Sequence, residues 1–106
     1  MQKESKIFIA GRGGQVGSAI ERKFRIEGYN NIVGLSSKEL DMREQSLMRS
    51  FFEKERPEYV VLAAAKVGGI MANIQAPAEF LYDNLAIQNN IIECSRFYGV
   101  KKLLLS

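Results

Sequence analysis

The sequence predicts an α/β protein of the doubly wound type, a parallel sheet with helices on both faces. Three observations predict it. Short β-branched apolar runs alternate with stretches of helical period, the pattern of strand–helix–strand units joined by right-handed crossovers. One run, EYVVLAAA at 58–65, is apolar almost throughout, as a central parallel strand buried on both faces requires. The first run leads directly into GRGGQVG at 11–17, four glycines in seven positions, the kind of turn that such folds place before their first helix.

The elements follow in order. KIFIA at 6–10 is a short apolar run that stops at glycine and reads as a buried strand. A helix comes next, with Val16, Ala19, Ile20 and Phe24 sharing a face and Gly28 closing it. NIVGL at 31–35 predicts a second strand, and KELDM at 38–42 a very short third. Leu47, Met48, Phe51 and Phe52 then recur at the spacing of one helix face, in a helix that ends before Pro57. After the strand at 58–65, KVGGIMANIQAP at 66–77 has no period and two adjacent glycines, and reads as a loop. Residues 78–98 predict a long helix with Leu81, Leu85 and Ile92 on one side and Gly99 as its stop. Its Phe80, Leu81, Ile87 and Ile91 cannot all face one sheet. KKLLLS at 101–106 begins a further strand. The expected strand order is 3-2-1-4-5. A bare apolar edge strand is a liability for a complete protein. The sequence is therefore expected to be the N-terminal part of a longer chain, cut off after its fifth strand; the alternative is a strand that pairs with another copy.

Composition bounds the function. With 106 residues, 46% hydrophobic and 25% charged, the chain suits one globular domain. No apolar run reaches the roughly 18 residues of a membrane span, and MQKESKIF is too soon followed by glycine to be a secretory signal. The single cysteine, Cys94, makes no internal disulfide, so a reducing cytoplasm is the expected location. Net charge is +3, but Lys and Arg are interspersed with Glu and Asp and no basic run carries stacking aromatics, which argues against nucleic acid. The mild positive excess suits small molecules that bear phosphate. Histidine is absent and no metal-ligand pattern is present.

A dinucleotide pyrophosphate needs free N–H groups and the positive end of a helix dipole. To reach them, it needs a turn without side chains at the points of close approach. In GRGGQVG the spacing GxGxxG fails, because Val16 stands at its third glycine. GxxGxxG is complete with Gly11, Gly14 and Gly17, Gly13 being an extra. Gly11 would make the turn, Gly14 admit the pyrophosphate and Gly17 let the helix pack close. A strand before the motif and a helix after it raise its value; the alternative is a bare turn. At the end of the second strand, an NAD site places an acid against the ribose 2′-hydroxyl. Here Ser36, Ser37 and Lys38 stand instead, suiting a 2′-phosphate, and Arg12 can add a guanidinium fork. That favours NADP(H), although Lys38 alone reads equally as a surface lysine. Glu39, one register step away, argues the other way. Asp41, with the Met42 backbone beside it, is placed to accept from an adenine amino group or to N-cap the helix at 44–55.

With the glycine loop, SSKELDM and LAAAKVGGIMANIQAPAEFLYDN in hand, residues 6–105 resemble the N-terminal part of the GDP-L-fucose synthase family, within the extended short-chain dehydrogenase/reductase superfamily. AAAKVGG at 63–69 is the most specific piece. The resemblance implies an NADP-dependent enzyme that epimerises GDP-4-keto-6-deoxy-D-mannose at two ring carbons and reduces its ketone to give GDP-L-fucose. It also implies a homodimer formed through helices, one of them at 78–98. By position, Gly11, Arg12, Gly13, Gly14, Gln15, Val16 and Gly17 form the pyrophosphate loop. Ser36, Ser37 and Lys38 lie at the 2′-phosphate, and Asp41 and Met42 at the adenine. Ala63, Ala64, Ala65 and Lys66 flank the ribose and nicotinamide, and Val67, Gly68 and Gly69 open the loop towards the sugar. Asn84 matches a family asparagine. Some members carry arginine at the position of Gly13 and another residue at Arg12. The superfamily's Ser and its Tyr-x-x-x-Lys pair on one helix, and this family's Cys and His, have no match here. Tyr29, Tyr59 and Tyr82 have no lysine four residues on, and Tyr98 and Lys102 have the bare spacing but straddle the helix stop at Gly99; Cys94 reads as a small buried hydrophobe, and Ser106 as the end of a strand. The 106 residues alone are expected to be inactive. Another nucleotide-sugar epimerase, dehydratase or reductase, and a non-catalytic dinucleotide module, are the competing readings.

Overall fold

The computed structural model describes residues 1–36, 38–63 and 77–105. Ser37, Ala64, Ala65, Lys66, Val67, Gly68, Gly69 and Ser106 therefore lie outside the described residues. The described elements are β1 (Ile7–Ala10), α1 (Gln15–Ile26), β2 (Ile32–Leu35), α2 (Gln45–Glu55), β3 (Tyr59–Leu62), α3 (Pro77–Phe97) and β4 (Lys102–Leu105). The four strands are all parallel, in the order β2-β1-β3-β4.

Strand β1 is the centre of the design. All four of its residues are fully buried. Phe8 and Ala10 face one side with Met48, Phe52, Val60, Leu62, Ile91 and Cys94; Ile7 and Ile9 face the other with Ile32, Val61, Ile20 and Phe24. Alternation along one strand thus feeds two cores, the first under α2 and α3 and the second under α1. This is the reason the strand runs read as continuously apolar. On the first side Phe52 stands edge-on to Phe8, their ring centroids 5.5 Å apart, and stacks on Tyr98.

The expected strand order holds for the four strands observed, counted without the short third one. KELDM is not a strand. The Glu39 and Leu40 amides both donate to the Ser36 carbonyl, and the Glu39 carboxylate accepts from the Ser36 amide, so the chain turns immediately after β2. These local bonds use the backbone groups that a strand would need for its ladder. One helix face differs from expectation, and the direction of another is set only by the structure. In α1 only Ile20 and Phe24 pack on the sheet, while Val16 and Ala19 are exposed. In α3 the inward residues are Ile87, Ile91 and Cys94; Leu81, Leu85 and Ile92 point outward, each nearly half exposed.

α2 ends where expected. Arg56 takes a left-handed conformation (φ 49°) and closes the helix before Pro57, its amide donating to the Phe52 carbonyl at 2.8 Å. Asn90 ties α3 to the loop that precedes α2. From its buried position its amide nitrogen donates to the Met42 carbonyl at 3.0 Å and to the Arg43 carbonyl at 2.9 Å. Asn90→Ala is expected to destabilise the fold by about 1–3 kcal/mol, because two carbonyls lose their donor. Denaturant unfolding checks this. Among the described residues no helix is long and apolar enough to cross a membrane.

Candidate functional site

In a doubly wound sheet the crevice opens where the chain departs in opposite directions from two neighbouring strands. Here β1 leads to β2 on one side and β3 lies on the other, so the crevice stands at the C-terminal ends of β1 and β3. The glycine loop follows β1 directly. Ala63 sits at the end of β3, its amide donating to the Ala10 carbonyl at 2.8 Å, beside the start of that loop.

The loop is shaped by two glycines for different reasons. Gly11 has φ 93°, a conformation that side-chain-bearing residues rarely adopt, and the amides of Gly11 and Arg12 both donate to the Leu35 carbonyl at the end of β2. Gly17 is buried in the first turn of α1, where a Cβ would stand 2.0 Å from the Gly11 carbonyl oxygen. Helix and loop touch there backbone to backbone. At Gly14 a Cβ would meet that same oxygen at 3.4 Å, an ordinary contact, and the residue is exposed with φ −82°. Gly14 therefore does not hold the loop's own shape; it leaves its outer surface bare. Gly13 faces the end of β2, its missing Cβ 3.2 Å from that of Ser36.

Gly14 is the N-cap of α1, no side chain caps the helix there, and its first turn has no acid. The helix thus presents unpaired N–H groups and the positive end of its dipole. Gln15 and Val16 stand exposed on this first turn, Val16 about half exposed. A bare surface, free donors and no competing carboxylate fit a phosphate group.

Around this loop, Arg12 is not a free arm. Its Nε and Nη2 donate to the two carboxylate oxygens of Glu21 on α1, at 2.7 and 3.1 Å, and Arg25 donates to the same carboxylate at 3.0 Å. Sequence spacing gave no signal for this pair, since residues 12 and 21 face each other only once the loop has turned back. The hydrogen bond from Arg12 pulls the Glu21 carboxyl below the usual glutamate range, with partial burial opposing it. Lys38 is exposed at the turn after β2, and the Glu39 carboxylate folds back onto the Ser36 amide.

On the other face, Asp41, Met42, Arg43, Asp83 and Ile87 line a cavity of about 310 Å³. Met42 itself is buried in the core. Asp41 is not the cap of α2. The N-cap is Glu44, without a side-chain bond, because Asp41 stands three residues too early. Its carboxylate instead accepts from the Arg43 amide at 3.1 Å and from the Arg43 guanidinium at 2.9 Å on each oxygen. Arg43 also reaches Asp83 on α3 at 3.2 Å. The guanidinium holds the Asp41 carboxyl below the usual aspartate range. Asn84 lies half-buried on the same helix. Cys94 is 2% exposed and burial pushes its thiol up, so it is an unreactive core residue. Among the described residues no acidic, cysteine or histidine group is arranged to hold a metal ion.

Both depressed carboxyls give a pH dependence of known sign. A group whose pKa is lowered on folding contributes stability above its unfolded value and loses it as pH falls through the folded value. The Glu21 and Asp41 pairs are therefore expected to leave stability flat around neutrality. They weaken it only on the acid side, below their ordinary values of 4.5 and 3.8. Thermal melts across pH check this, and the double variant Glu21→Gln, Asp41→Asn flattens part of the acid limb.

Residues 7–106 match the NAD dependent epimerase/dehydratase family. A protein named putative GDP-L-fucose synthase 2 from Arabidopsis thaliana is 53% identical over 104 residues, 98% of this chain and 32% of its own length. GDP-L-fucose synthase from Escherichia coli is 44% identical over 101 residues, 95% of this chain and 32% of its own length. The solved structure of a GDP-mannoheptose C4 reductase from Campylobacter jejuni, with NADP bound, superposes with a TM-score of 0.89 at 42% identity, over 99% of this chain and 33% of that one. The chain thus spans about a third of the length of the curated relatives it matches.

Proposed function

The chain belongs to the NAD dependent epimerase/dehydratase family, and from that premise we propose that residues 1–106 are the NADP(H)-binding part of a GDP-L-fucose synthase. The whole enzyme would epimerise GDP-4-keto-6-deoxy-D-mannose and reduce it to GDP-L-fucose. The observation that carries the reading is the loop between β1 and α1. It is held in shape by Gly11 and Gly17, left bare at Gly14, and opens an uncapped helix. The relatives named GDP-L-fucose synthase and the NADP-bound C4 reductase supply the sugar class and the cofactor.

In this reading Gly11, Arg12, Gly13, Gly14, Gln15, Val16 and Gly17 surround the pyrophosphate. The backbone N–H groups at the start of α1 bind it. Ser36, Ser37 and Lys38 meet the 2′-phosphate, with the Arg12 side chain on the β2 side. The cavity beside Asp41, Met42 and Ile87 takes the adenine. Asp41 accepts from its amino group, since each carboxylate oxygen can take more than one donor. Ala63, Ala64, Ala65 and Lys66 flank the ribose and nicotinamide, and Val67, Gly68 and Gly69 lead to the sugar. The cofactor, when bound, supplies hydride. Residues 1–106 contain no histidine, and the one tyrosine with a lysine four positions on, Tyr98 before Lys102, stacks on Phe52 at the N-terminal end of the sheet, opposite the crevice. The proton for the carbonyl oxygen is accordingly assigned to residues outside this stretch, and the 106 residues alone to inactivity. The exposed stripe of Leu81, Leu85 and Ile92 on α3 supports a homodimer, and the lone buried thiol suits a reducing cytoplasm.

One observation favours a second reading, a GDP-heptose C4 reductase: the 42% identity to the Campylobacter jejuni enzyme is close to that of the Escherichia coli synthase. Both readings share the cofactor and the GDP group. The test is NADPH oxidation by the protein of the full reading frame with GDP-4-keto-6-deoxy-D-mannose, and separately with a GDP-4-keto-heptose. The account expects turnover of the first, with GDP-L-fucose as product. Oxidation with the heptose alone supports the second reading, and oxidation with neither removes both.

A further inference from the structure

Arg12, Glu21 and Gly34 form a constellation that the glycine motif does not require. The Arg12 side chain leaves the loop beside Leu35 and runs across the α1 face of β2. It passes Gly34 so closely that a Cβ at Gly34 would stand 2.7 Å from its Cδ and Nε. Gly34 lies inside β2 and pairs with Ile9 of β1, a position where a strand gains nothing from a glycine. The missing side chain is therefore explained by the arginine that fills its place.

Glu21 then fixes the guanidinium at its other end. It takes the Nε–Nη2 edge in a two-point fork. A guanidinium carries five N–H donors. Two are used here, and among the described residues no hydrogen bond takes Nη1. The free edge remains available to an anion, already oriented. Nor does Glu21 cancel the charge. Arg25 donates to the same carboxylate, so the cluster of Arg12, Glu21 and Arg25 carries two positive charges against one negative. The other carboxylate that acts on Arg12 is Glu39, whose side chain is turned onto the Ser36 amide. The end of β2 therefore holds both solutions to ribose recognition, an acid and an oriented guanidinium.

We propose that Glu21 and Gly34 are positioning residues that aim Arg12 at the phosphate of an adenosine 2′-phosphate beside the end of β2, and that this arrangement, not Lys38 alone, sets the preference for NADP(H) over NAD(H). The proposal rests on the dinucleotide reading above. A tie that served only to anchor the loop would weaken both cofactors alike; a positioned arginine weakens only the one with the extra phosphate.

The experiment measures NADPH and NADH affinities of the full-reading-frame protein by nicotinamide fluorescence, for the wild type and Arg12→Ala, Glu21→Ala, Gly34→Val and the Arg12→Ala, Glu21→Ala pair. The wild type is expected to prefer NADPH. Arg12→Ala and Glu21→Ala should each cut that preference about tenfold, the size of effect of one charge-assisted contact. The double variant should be no worse than Arg12→Ala alone, as for residues that act as a unit. Gly34→Val should do the same by displacing the arginine, and a thermal melt shows whether that variant is folded. If it is not, the Glu21 variant, on the surface of α1, decides. A preference that survives Glu21→Ala while Arg12→Ala abolishes it overturns the positioning inference and leaves the NADP reading standing. Equal loss of both cofactors in Glu21→Ala also overturns the inference. A wild type that binds both cofactors with no preference overturns the NADP reading and the inference together.

Discussion

Gly17→Val is expected to abolish cofactor binding and to destabilise the protein. The first atom of the new side chain would stand 2.0 Å from the Gly11 carbonyl oxygen, a backbone atom that cannot rotate away. α1 would have to move outward until an ordinary contact is restored. Overpacking of this kind costs roughly 1–3 kcal/mol, here at the upper end because valine adds two methyl groups. The movement also misplaces the N–H groups that receive the phosphate, and a shift of about 1 Å in a positioning element can cost about 100-fold. Nucleotide titration and thermal melting together check this. Gly14→Ala is the control. Its Cβ would make an ordinary contact at 3.4 Å with an unstrained φ, so the melting temperature should stay near the wild type. Cofactor affinity should still fall, because the added methyl stands on the surface where the pyrophosphate approaches. The two glycines thus separate into one that builds the loop and one that keeps it open. Wild-type affinity in Gly17→Val would contradict this account of the loop.

Phe52→Ala carries the other large effect, on the fold. Phe52 is fully buried, edge-on to Phe8 and Phe51 and stacked on Tyr98. It connects α2 to the central strand and to the end of α3. Its removal leaves a cavity that rigid neighbours on three elements cannot close, and such truncations cost roughly 3–5 kcal/mol. Against a total stability of about 5–15 kcal/mol this is a large share. Denaturant unfolding should show the loss in the midpoint with little change in slope. Phe51→Ala should cost less, since that ring is only half-buried.

The sequence was legible where one physical cause fixes the outcome. β1 and β3 are apolar on both faces because helices cover both faces. The spacing Gly11, Gly14, Gly17 survives because each position answers a separate geometric demand. Legibility failed where side chains compete for the backbone or for each other. KELDM carries the alternation of a strand, but Glu39 returns to the Ser36 amide and makes a turn instead. Asp41 has the chemistry of a helix cap, and Arg43 two residues later takes both its oxygens. The stripe of Leu81, Leu85 and Ile92 has helical period yet faces outward, since period identifies a face and not its direction. The Arg12–Glu21 pair and the role of Asn90 depend on contacts across 9 and 48 residues, which no local pattern encodes.

The most direct test of the central claim is a crystal structure of the full-reading-frame protein with NADP(H) bound. The account predicts the pyrophosphate against the backbone N–H groups at the start of α1, with Gly14 beneath it. It also predicts the adenine in the cavity beside Asp41 and Ile87, and the 2′-phosphate on the free edge of Arg12. A nucleotide seated elsewhere, or a loop left empty at saturating cofactor, would contradict it.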